Sequence, residues 1–111
     1  MILLRNAALD RAVSMAFNVD QLPCITLWKN TNAEEEGYVT GLEPGTGFPY
    51  NRRIERQLGR VPKLKPGESR QFAIDFAIRV GPEEVKSAVQ EVQRIQAGRP
   101  TQVDADPAKV D

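Results

Sequence analysis

Histidine is absent from this chain of 111 residues. Its absence removes the usual proton donor at neutral pH and the commonest metal ligand. Cysteine is almost absent: Cys24 stands alone, between Leu22-Pro23 and Ile25-Thr26-Leu27. One thiol closes no internal disulfide, and one thiol with scattered carboxylates assembles no metal cluster. Its apolar neighbours suit a small buried hydrophobe, and a reducing cytoplasm is the expected location. Net charge is missing as well, since 15 Lys and Arg offset 15 Asp and Glu. No global field therefore recruits nucleic acid or an anionic membrane. Long apolar runs are lacking too. The opening Met1-Ile2-Leu3-Leu4-Arg5 is far short of the ~20 residues of a membrane span, and too short for the apolar region of a signal peptide. There is no internal repeat, no GxGxxG, no P-loop and no Ser-His-Asp set, so neither a cofactor nor a metal is expected.

What remains is a chain of one domain at most, whose 41% hydrophobic content is enough for a modest core. Met1 to Arg5 is strand-like. Val13, Met15 and Phe17 alternate with the small residues Ala12, Ser14 and Ala16, a strand whose second face can lie against another layer. After Pro23, the run Cys24 to Trp28 alternates again, with Ile25 and Leu27 on one side and Cys24, Thr26 and Trp28 on the other. Lys29 to Gly37 reads as a solvated loop carrying Glu34, Glu35 and Glu36. The most regular alternation puts Phe72, Ile74, Phe76, Ile78 and Val80 on one face of a strand. Gly81-Pro82-Glu83-Glu84 then opens a helix, with proline at its first position and acids at the positive end of its dipole. Val85, Ala88, Val89, Val92 and Ile95 form its apolar stripe, which docks on the sheet and is ended by Gly98 and Pro100.

Between these strands lies Gly41-Leu42-Glu43-Pro44-Gly45-Thr46-Gly47-Phe48-Pro49. Gly37 to Leu42 has strand composition, while Pro44, Gly45, Gly47 and Pro49 forbid helix and break a ladder, which places Glu43 at a strand end. Two readings stand: an exposed turn glutamate, or a carboxylate aimed by a rigid strand into room left by a loop. Asn51 to Arg60 holds Arg52, Arg53, Arg56 and Arg60, side chains suited to carboxylate or phosphate, or else to a solvated connector pairing with Glu34 to Glu36 or with water. Val61 to Ser69 reads as a short edge segment that ends in a reversal at Pro66-Gly67.

Four words in order, Trp28 to Thr31 (WKNT), Gly37 to Pro49 (GYVTGLEPGTxFP), Glu55 to Val61 (ExxxGRV) and Leu64 to Ser69 (LxPGES), resemble the C-terminal part of the galactose mutarotase-like proteins. The match is to a domain-of-unknown-function branch of aldose 1-epimerase-like proteins, and it covers residues 6 to about 80. The resemblance implies a mainly β fold, the C-terminal portion of an antiparallel β-sandwich over 1–80; the residues beyond it add the helix at 81–98 read above and, with nothing periodic after Thr101, a flexible tail at 99–111. It implies a sugar or sugar derivative as partner, with Glu43 as the catalytic base that takes the proton of the anomeric hydroxyl while a histidine protonates the ring oxygen. Ionised carboxylates can act as bases at neutral pH. Trp28 offers a face for stacking a sugar ring, or a core or edge position, and Arg52 or Arg53 could meet a charged sugar. The family's histidines lie upstream of this region, so the chain departs from the pattern and is expected to be inactive alone. The strands here amount to the last third of such a sandwich, which predicts self-association or pairing with the missing N-terminal strands. A non-catalytic carbohydrate-binding module and a structural fragment completed by partner strands are the rival readings.

Overall fold

The computed structural model of the chain describes residues 1–103; the part of the expected tail at 104–111 lies outside the described residues. The element order is β1 (Ile2–Arg5), β2 (Arg11–Phe17), β3 (Cys24–Lys29), a 3-10 turn at Glu34–Glu36, β4 (Thr40–Gly45), α1 (Arg52–Gln57), β5 (Ile74–Val80) and α2 (Pro82–Gln96). The chain divides into two units, one holding β1, β2, β5 and α2, the other spanning Asn18–Phe72.

In the first unit the alternating runs pair as an antiparallel sheet of order β1-β2-β5. Partners across a ladder share a face. The register Ala12↔Arg79 and Ser14↔Ala77 therefore collects small side chains on one side, while Leu4↔Val13↔Ile78 collects apolar ones on the other. Helix α2 packs on all three strands, burying Val85 and Ala88, and Ala12 and Ser14 are buried with them. Small residues let a helix approach a sheet closely, and the helix covers that side. The more regular apolar face, although Met15 on it is buried, is largely left open: Phe76 is 66% and Ile78 76% exposed. The expected stripe docks through its N-terminal half, whereas Ile95 at its far end is exposed.

The entry to α2 follows from Gly81, whose φ of 101° suits a residue without a Cβ, and from Pro82 at the first helical position. The Gly81 N–H donates to the Asp10 carbonyl at 2.8 Å, and the Glu84 carboxylate accepts from the Val80 N–H at 3.3 Å. β5 begins at Ile74, so Phe72 stands outside the ladder, its ring under the Arg70 guanidinium at 5.4 Å.

In the second unit, β3 and β4 form an antiparallel ribbon in which Ile25 faces Pro44, Thr26 faces Glu43 and Trp28 faces Gly41. Two local expectations shift here. The strand starts at Thr40 rather than Gly37, and it runs through Glu43 and Pro44 to Gly45 instead of ending at the glutamate. A two-stranded ribbon leaves each strand one unpaired side, so the missing N–H of Pro44 can fall where no ladder bond is needed. The arginine-rich segment is helical from Arg52 to Gln57, capped by Asn51, whose side-chain oxygen accepts from the Arg53 N–H at 2.9 Å. No strand forms over Val61 to Ser69. The reversal is where it was expected: Glu68 N–H donates to the Lys65 carbonyl at 3.0 Å and Gly67 has φ 80°, a type II turn.

Candidate functional site

Glu43 sits inside β4, exposed, on the face that carries Thr26 directly opposite and Gly41 two residues back. Gly41 has no side chain, and the Glu43 carboxylate occupies the space: a Cβ built on Gly41 would stand 2.6 Å from Glu43 Oε1. Gly45, facing Cys24 across the ladder, keeps the other flank equally bare. The carboxylate makes no hydrogen bond or ion pair among the described residues. It opens onto a concavity of about 310 Å³ walled by Thr26, the backbone from Pro44 to Pro49, Phe48 and Arg52. A carboxylate oxygen with no hydrogen-bond or ion-pair partner among the described residues, beside a backbone stripped of side chains, can accept a proton from a small hydroxylic ligand.

The other proposed site residues divide. Arg52, at the first position of α1, lines the same concavity and forms no ion pair within the second unit. Arg53 follows it on the helix and does not line it. Trp28 lies on Glu43's face of the ribbon, opposite Gly41 and half exposed, but outside the concavity. Thr26 and Phe48 are wall residues that sequence reasoning missed: alternation groups Thr26 with Cys24 and Trp28 on one side of β3, but only the register of β3 on β4 sets it opposite the glutamate. Glu34, Glu35 and Glu36 are exposed and pair with none of the arginines among the described residues. No group of three His, Cys, Asp or Glu able to hold a metal occurs among the described residues.

The wall is braced from behind. Glu55 of α1 is 1% exposed, and Arg60 grips it with both arms, Nε donating to Oε2 at 3.0 Å and Nη2 to Oε1. The same guanidinium lies 5.0 Å from the centre of the Phe48 ring. A buried carboxylate thus fixes an arginine, and the arginine holds the aromatic side chain of the concavity. Both charged residues belong to the Glu55-to-Val61 word, which reads as a structural clamp. The hydrogen bonds from Arg60 hold the Glu55 carboxyl below its ordinary 4.5, against burial and with help from the charges of Arg60 and Arg52. A depressed folded-state value means that this contribution to stability is complete above about 4.5 and is lost as pH falls from there through the folded value. The denaturation midpoint is expected to fall between pH 6 and pH 3, and to fall less in Glu55→Gln. Equal acid sensitivity of the two proteins in urea titrations would refute the assignment.

The family described as Domain of unknown function (DUF4432) matches residues 1–78. The crystal structure of a candidate aldose 1-epimerase from Klebsiella pneumoniae subsp. pneumoniae MGH 78578 superposes with a TM-score of 0.87 at 38% identity, over 96% of this chain. This chain spans 28% of the length of that protein. None of the curated proteins matches. The architecture is accordingly the aldose epimerase-like one, mainly antiparallel sheets with a C-terminal helix. No described helix is long and apolar enough to cross a membrane.

Proposed function

The chain belongs to the DUF4432 family, and from that premise we propose that it is the Glu43-bearing portion of a sugar mutarotase, binding an aldose or aldose derivative in the concavity beside β4. The observation that carries the reading is the unpaired Glu43 carboxylate over side-chain-free Gly41. Glu43 takes the proton of the anomeric hydroxyl; the electron pair left on that oxygen forms a carbonyl as the bond from the anomeric carbon to the ring oxygen breaks. The ring oxygen takes a proton from an acid, the aldehyde rotates, and reclosure on its other face gives the other anomer. Phe48 offers the sugar an apolar wall and Thr26 a hydroxyl. Arg52 would meet a charged substituent; Trp28 and Arg53, at the margin, would act only on a larger ligand.

The acid is the missing member. With no histidine in the chain, protonation of the ring oxygen falls to a group outside these residues, and the isolated chain is expected not to accelerate mutarotation. Polarimetry of freshly dissolved α-glucose and α-galactose checks this: acceleration that vanishes in Glu43→Gln would overturn the expectation and require Tyr38, Tyr50 or a water as donor. A chimera in which this chain replaces the matching segment of the Klebsiella protein supplies the rest of the fold, and it should accelerate the rotation change. A folded chimera that binds sugar yet accelerates none would favour the second reading, a carbohydrate-binding module without chemistry, which the absent histidine also suits.

A further inference from the structure

The end of α1 carries an ion pair where a helix end of its kind ordinarily carries a hydrophobic contact. The Arg60 N–H donates to the Glu55 carbonyl at 3.0 Å and the Gly59 N–H to the Arg56 carbonyl at 3.2 Å, with Gly59 left-handed at φ 68°. These are the two bonds of a Schellman turn, which sets the residue after the glycine, here Arg60, against the third-last residue of the helix, here Glu55. Two apolar side chains commonly meet at that place. Here Glu55 is buried instead and takes the two-armed grip of Arg60, whose side chain stays 28% exposed. Desolvation offsets much of the attraction in such a pair, and well-packed apolar residues in its place are often as stable or more so. What they could not supply is a planar cation over the Phe48 ring, 5.0 Å from its centre. The Arg60 carbonyl oxygen also stands 3.8 Å from where a Cβ on Gly47 would lie, so this one residue flanks both Gly47 and Phe48 of the concavity's wall. A ring fixed before the ligand arrives spares the ordering entropy that a loose one loses on binding. We propose that Arg60 is a positioning residue for ligand binding: Glu55 holds it, it holds Phe48, and the fixed ring receives the C–H face of a pyranose. The inference rests on the aldose reading of the concavity, and it gives Arg60 no contact with the sugar.

Affinity measured by calorimetry in the chimera with the Klebsiella protein tests it, a readout that does not depend on Glu43 acting as a base. Glu55→Leu/Arg60→Met removes both charges and leaves neither buried alone. It should melt no lower than its parent, yet bind galactose or glucose about two- to tenfold more weakly, the effect of having to order one side chain on binding. In a Phe48→Ala background the same two substitutions should leave affinity unchanged, because no ring remains to be held. Arg60→Lys keeps a charge beside Glu55 but loses the planar fork, so it should show the weakening even where the double variant does not fold. Parental affinity in the variants that fold overturns the proposal. So does a weakening of equal size in the Phe48→Ala background, which would put Arg60 in contact with the sugar or make the pair a general brace of the loop. A parent chimera that binds neither sugar defeats the aldose reading itself, and this proposal with it.

Discussion

Glu43→Gln in the chimera is expected to slow mutarotation by about a hundred to ten thousand fold, with sugar affinity and melting temperature preserved. The range is that for loss of one positioned general base. Folding should be indifferent because Glu43 is exposed and makes no hydrogen bond or ion pair among the described residues. Affinity should hold because the amide has the volume of the carboxylate and still accepts a hydrogen bond from the anomeric hydroxyl. What it loses is the ability to keep the proton. A rate within twofold of the parent on every accepted sugar would remove Glu43 from the chemistry, and a loss of affinity without a slower bound-state rate would make it a binding residue.

The strands could be read from the sequence wherever side chains alternate. Val13 to Phe17 and Ile74 to Val80 pair directly with each other, and Cys24 to Trp28 faces the strand that carries the glutamate. Two kinds of feature resisted. The first is backbone that breaks a local rule: Pro44 suggested the end of a ladder, yet it lies inside one because β4 has a free side. The second is partnership between residues near in sequence but without a periodic signature. Arg60 stood among four arginines that could have been solvated, and only burial of Glu55 shows that one of them has a fixed structural role. Similarly, the alternation of Phe72 to Val80 showed which side chains share a face but not which face the helix covers. Val85 and Ala88 fit against small residues, so the helix took the side bearing Ala12, Ser14 and Ala77 and left Ile78 open.

The empty position beside Glu43 leads to the other large effect. Gly41→Ala in the chimera is expected to reduce turnover by about a hundredfold while leaving folding intact. The added Cβ would stand 2.6 Å from Glu43 Oε1, closer than two such atoms can approach, so one must move. The backbone of β4 is held by its pairing with β3, whereas the carboxylate is the far end of a flexible side chain, and the carboxylate is what moves. Stability should therefore change by less than about 1 kcal/mol, alanine being no worse than glycine in a strand. Catalysis is less tolerant, because a displacement of about 1 Å in a reacting group can cost a factor of a hundred. The double variant Gly41→Ala/Glu43→Gln separates this mechanism from a general disturbance. If the methyl group acts only by displacing the base, it has nothing further to displace once the base is gone, and the double variant is as slow as Glu43→Gln and no slower. Multiplying losses would show that Gly41 contacts the sugar itself, and an unimpaired Gly41→Ala enzyme would show that the carboxylate does not work from the position it holds over this glycine.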